Sequence, residues 1–88
     1  MTNKEFIAKA KAAVVDYFNG NMDATDKNGK ITTDDVFVVW LCKTLQHHKA
    51  LLSTTVSDGM YYELTYNGDK SECYFDAYKK WRNEVLHW

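Results

Sequence analysis

"VFVVWLCKTLQHHKALLSTTVSDGMYYELTYNGDKSECYF", residues 36–75, decides the fold. Its first residues, Val36 to Trp40, are β-branched and aromatic, which suits a pleated, half-buried surface. A helix over residues 33–49, capped by Thr32, competes for the same stretch. Three turns in succession favour strands. A two-residue loop at His47-His48 sets Leu45 opposite Ala50, Lys43 opposite Leu52, Leu41 opposite Thr54 and Val39 opposite Val56. A three-residue loop at Ser57-Asp58-Gly59, with Gly59 left-handed, sets Val56 opposite Met60, Thr54 opposite Tyr62, Leu52 opposite Leu64 and Ala50 opposite Tyr66. A four-residue loop over Asn67–Lys70 sets Leu64 opposite Cys73 and Tyr62 opposite Phe75. The tighter Asn67-Gly68 turn would put Glu63 against Glu72, an unfavourable pair.

These registers agree on one apolar face. Val39, Leu41 and Leu45 supply it from the first strand, Leu52 and Val56 from the second. Met60, Tyr62 and Leu64 supply it from the third, Cys73 and Phe75 from the fourth. Side chains alternate with period 2, so a one-residue slip would reverse a whole strand. The expected sheet is a four-stranded antiparallel meander, with strands near 36–46, 49–56, 60–66 and 71–76.

Helices are expected on both sides of it. Thr2 and Glu5 make the T-x-x-E capping box. Ile7, Ala10, Val14 and Phe18 follow at helical spacing, with Phe6 and Tyr17 at the stripe's edges. This first helix is expected over 3–19, with Asn19-Gly20 as its stop. After the sheet, Asp76 can cap a second helix, whose stripe is Tyr78, Trp81, Val85 and Trp88. The fold class is α+β: N-terminal helix, meander, C-terminal helix, in two layers and a single domain over 1–88.

Composition narrows the function. Eighty-eight residues hold one small core, and 45% hydrophobic and 15% aromatic content fill it. Net charge is −1, with acidic and basic residues mixed, so neither a broad nucleic-acid surface nor a DNA mimic is expected. No apolar run reaches membrane-spanning length. The amphipathic start, MTNKEFIAK, does not read as a signal peptide, and a cytoplasmic location is expected. Cys42 and Cys73 lack metal-site spacing and read as half-buried thiols without a disulfide.

"DATDKNGKITTDD", residues 23–35, invites comparison with a calcium loop. With Gly29 at loop position 6, Asp26 takes position 3, Asn28 position 5, Ile31 position 8 and Asp35 position 12. Position 1 is then Ala24, which offers no side-chain oxygen, and Asp35 is shorter than the usual Glu. The segment reads as a helix-to-strand connection with a turn at Asn28-Gly29, and no metal is expected. His47-His48 reads as an exposed hairpin tip without further metal ligands. Glu63, Glu72 and Asp76 read as a solvated carboxylate group, and neither cysteine has an evident catalytic partner set. No catalytic residue and no cofactor is expected.

The informative surface is the second face of the sheet. In the same register it carries Val38, Trp40, Cys42 and Thr44, then Leu51, Ser53 and Thr55. Tyr61, Glu63 and Thr65 follow on the third strand, and Glu72, Tyr74 and Asp76 on the fourth. Two helices with one apolar stripe each can cover one face only. Trp40, Leu51, Tyr61, Glu63 and Tyr74 would then form a mixed aromatic patch of the kind found at interface centres. The competing reading puts one helix over this face and leaves no site.

The run from Val36 to Trp81, with "KALLSTTVSDGMYYE" and "TYNGDK" most characteristic, resembles a family of small proteins of unknown function. That family is encoded by phages and prophages of Gram-positive bacteria. The resemblance extends over nearly the whole chain and brings no catalytic residues. It implies a phage accessory protein that binds a protein partner, a host or defence factor among the expected targets. The alternative is a small-ligand-binding or sequestering homo-oligomer, and an enzyme is a distant third.

Overall fold

The computed structural model describes residues 1–22 and 29–88. One helix, α1 (Asn3–Gly20), precedes a 3-10 turn (Thr33–Asp35) and four strands. The strands are β1 (Val36–Thr44), β2 (His47–Thr54), β3 (Met60–Asn67) and β4 (Glu72–Lys79). They form one antiparallel sheet in the order β1-β2-β3-β4. The α+β meander is therefore as the residues suggest, and the helical alternative over 33–49 shrinks to a single turn. Thr32 caps that turn, with the Asp35 carboxylate accepting its N–H at 2.8 Å.

The capping box of α1 is complete. Thr2 Oγ1 accepts from the Glu5 N–H at 3.1 Å, and Glu5 Oε1 accepts from the Thr2 N–H at 3.2 Å. The Thr2 backbone N–H, and then the Thr2 side chain, hold the exposed Glu5 carboxyl below its ordinary pKa. The buried stripe is Phe6, Ala10, Val14 and Phe18, so Phe6 holds the place expected for Ile7. Gly20 lies inside the helix, and the stop comes at Asn21, whose N–H bonds Phe18 O and Tyr17 O.

The meander turns earlier than expected. The loop between β1 and β2 is Leu45-Gln46, with Leu45 at φ 55, because a two-residue hairpin demands a positive φ there. Leu45 is accordingly exposed rather than in the core. His48 moves the other way. It is buried opposite Tyr66, stacked on Phe6 at 5.0 Å, with Nε2 beside Met1 O at 3.1 Å. Leu41 thus faces Ala50 instead of Thr54. In the other two ladders Leu52 faces Tyr62, Ala50 faces Leu64 and Leu64 faces Phe75. Each strand from β2 onward keeps its expected faces while sliding along its neighbour.

One break changes the faces. β1 bulges between Val38 and Trp40, so the residues before the bulge reverse sides. Val36 and Val38 turn inward, opposite Thr54 and Leu52, while Val39 is 46% exposed. The expected core place of Val39 and outer place of Val38 are therefore exchanged.

α1 lies across the inner face over β1 and β2. Two aromatic groups pin it. Phe6 meets His48 and Tyr66 near its start, and Tyr17 meets Tyr62 at 5.7 Å and Phe75 at 5.2 Å near its end. The fully buried centre is Leu52, Ala50, Tyr62 and Val14.

The C-terminal helix is not formed. Asp76, its expected cap, is paired with Glu63 in the sheet, and Tyr78 is paired with Tyr61. β4 thereby consumes the first turn of the expected helix. Residues 80–88 hold no regular structure, and an isolated segment so short cannot sustain a helix without packing. Trp81 is 91% exposed, and Val85, Leu86 and Trp88 are exposed with it. No helix among the described residues is long and apolar enough to cross a membrane.

Candidate functional face

Among the described residues, no helix lies over the outer face of the sheet. The thinnest dimension of the molecule is 19 Å, the thickness of one helix laid on one sheet. Trp40, Leu51, Glu63 and Asp76 form one row straight across the four strands. On one side of that row Tyr61 pairs with Tyr78, and on the other Thr65 pairs with Tyr74. Directly opposed side chains lie about 4.5–5.5 Å apart at Cβ, so these residues make one continuous surface. All five expected residues, Trp40, Leu51, Tyr61, Glu63 and Tyr74, stand on this face.

Their exposure differs with position. Trp40 is 40% exposed and Tyr74 54%, while Leu51, Tyr61 and Glu63 on the central strands are half-buried. Lys49 Nζ reaches Glu63 Oε1 at 3.5 Å. Asp76 faces Glu63 directly, so a second carboxylate stands beside the Lys49–Glu63 pair on this surface. Trp40, Cys42, Lys49, Glu63 and Thr65 line part of a shallow, mainly apolar depression of about 460 Å³. An apolar floor with a charged pair at its side can seat a ring or aliphatic side chain and fix its orientation.

Four residues on this face were not among those expected to bind. Phe37 and Val39 come there through the β1 bulge. Tyr78 comes there because β4 runs on to Lys79. Lys49 could have been found by alternation, since it lies two residues from Leu51.

The other candidates resolve differently. Residues 23–28, with Ala24, Asp26 and Asn28 of the calcium comparison, lie outside the described residues. Among the described residues no three His, Cys, Asp or Glu side chains come together as metal ligands. His47 is tied into a turn: Nδ1 accepts the Gly68 N–H at 3.1 Å, and Nε2 lies 3.6 Å from Asp69. Both cysteines are free and exposed rather than half-buried. Partial desolvation still pushes the Cys73 thiol above its ordinary pKa, against thiolate formation. A second depression, about 370 Å³, opens between α1 and β3–β4, lined by Phe6, Ala10, Leu64, Tyr66 and Cys73 among others. α1 meets β4 near its own C-terminal end, through Tyr17 and Phe75, and among the described residues no second helix closes the gap nearer its start.

Residues 7–88 match the model of a family described as a family of unknown function, DUF6275. No curated protein and no solved structure matches the chain.

Proposed function

The chain belongs to DUF6275, and on that footing we propose that it acts without catalysis, by binding another protein through its outer sheet face. One observation carries the reading: Trp40, Tyr61 and Tyr74 share a face that no helix among the described residues covers. Aromatic side chains present large, rigid contact area at low entropic cost, and such anchors dominate interface energies. Glu63, held by Lys49, adds a fixed polar contact at the centre. The phage character drawn from sequence resemblance would place this binding in the cytoplasm of a Gram-positive host, with a host or defence factor as target.

The test is paired. Full-length protein and Trp40→Ala are used to capture partners from host lysate, and both are melted. The expected result is a partner lost with Trp40→Ala at nearly unchanged melting temperature. A variant that unfolds, or one that keeps every partner, overturns the reading.

A second reading, a small-ligand binder, is favoured by the apolar depression beside α1. Its size suits a small ligand, and Lys9 at its rim would suit an anionic group. Thermal shift with a nucleotide and metabolite panel separates the two: a saturable rise abolished by Ala10→Trp supports the ligand.

A further inference from the structure

We infer that β4 is a docking edge for the β4 strand of a second copy, joining the two sheets into one. The two edges of the sheet differ in chemistry. β1 carries a bulge at Val39 in mid-strand, which discourages edge pairing, and an inward-facing Lys43 one residue before its end. β4 runs unbulged from Glu72 to Lys79, without proline, and its one inward charge is at the very end. Among the described residues no backbone bond reaches its free side. The Lys80 N–H bonds Gly59 O, so Tyr78, Asp76 and Tyr74 also direct their amides to β3. Cys73, Phe75 and Ala77 therefore direct theirs outward, as an open ladder.

Charge selects one self-complementary register. With Phe75 opposite its own copy on a two-fold axis, Cys73 faces Ala77 on the inner side. Glu72 then faces Tyr78, and Asp76 faces Tyr74, on the outer side. No like charges oppose within the strand, and Glu72 lies diagonally across from Lys80. Sliding two residues one way opposes Asp76 to Asp76 at the axis, with Glu72 then opposite Lys80 just past the strand end; sliding two the other way opposes Glu72 to Asp76 twice. Both neighbouring registers are penalised, and larger slides unpair much of the strand. The favoured register also brings the two half-buried Phe75 rings together, each beside the Tyr17 ring that α1 lays against it. A second copy thus meets both the hydrogen-bonding and the packing need of this edge, as isologous contacts do.

The experiment uses three full-length proteins. The parent should sediment at twice the monomer mass at micromolar concentration. Ala77→Pro removes an outward N–H that no strand of its own chain uses, and should sediment as a monomer while melting within a few degrees of the parent. Ala77→Cys, in a Cys42→Ser background, should form a covalent dimer with Cys73 under mild oxidation. Residues facing each other in a hydrogen-bonded pair sit about 5.5 Å apart at Cα, within disulfide reach. A parent that stays monomeric at high micromolar concentration overturns the inference. So does an Ala77→Pro variant that remains dimeric, or an Ala77→Cys protein that cross-links no faster than its Cys42→Ser parent. Should Ala77→Pro not fold, the cross-linking arm decides alone.

Discussion

The inner and outer faces of the sheet are built from similar residues and put to different uses. Inside, Tyr62, Phe75 and Tyr66 meet Tyr17, Phe6 and His48 from outside their own strands. Outside, Trp40, Tyr74 and Tyr78 are exposed, and among the described residues no helix packs on this face. Aromatic content therefore does not distinguish core from surface here; the coverage supplied by α1 does. A face that remains aromatic without a cover is a face with capacity to bind.

The comparison breaks most easily on Leu52. It is fully buried at the centre of the inner face, and Leu52→Ala should cost about 2–5 kcal/mol, read by chemical denaturation. A melting curve like the parent's would show that the inner face is not the core.

Alkaline pH gives the next effect. Burial, with help from the nearby Asp58 charge, pushes the Tyr62 hydroxyl up to about 12. The unfolded tyrosine titrates near its ordinary value of about 10, so the unfolded state loses its proton first. Tyr62's share of stability is intact below about pH 10 and declines as pH rises towards 12, by roughly one or two kcal/mol. Tyr62→Phe should flatten that part of the stability profile.

A smaller effect tests the turn that fixes both faces. Leu45 holds φ 55 with its side chain in solvent, and Leu45→Gly should stabilise the domain by about 1 kcal/mol. A loss of stability would mean that the hairpin does not turn there. Least of all should Trp40→Ala disturb the fold. A half-exposed cross-strand pair with Leu51 is worth at most about 1 kcal/mol. If Trp40→Ala instead matches Leu52→Ala in denaturation, the two faces are energetically alike and the contrast is lost.

The residues revealed much of this and concealed a definite part. Alternation from Leu52 through Phe75 specified which side chains share a face, because parity is a property of each strand. It did not specify the sliding of strands past one another, because displacement by two residues leaves parity unchanged. Val36 to Trp40 is apolar at every position, so nothing in it marks where the bulge falls. His48 was hidden by its residue type: the clue was only its place two residues before Ala50 and four before Leu52. The five outer-face residues were legible because strands β2 to β4 kept their faces and Trp40 lies beyond the bulge. The tail stripe from Tyr78 to Trp88 has genuine helical spacing, yet β-pairing of residues 76–79 takes precedence over it.

One modest contact has a consequence for engineering. Asn19 closes a ring with Ile31: its Oδ1 accepts the Ile31 N–H at 2.9 Å and its Nδ2 donates to Ile31 O at 3.1 Å. The end of α1 and the approach to the sheet are therefore fastened together independently of the chain between them. The entropy of closing a loop grows only logarithmically, by about 0.6 kcal/mol for each doubling of length. Epitope tags or fluorophore-bearing inserts placed between Met22 and Gly29 should thus be tolerated while Asn19 is kept. The same inserts should become far more disruptive once Asn19 is replaced by Ala.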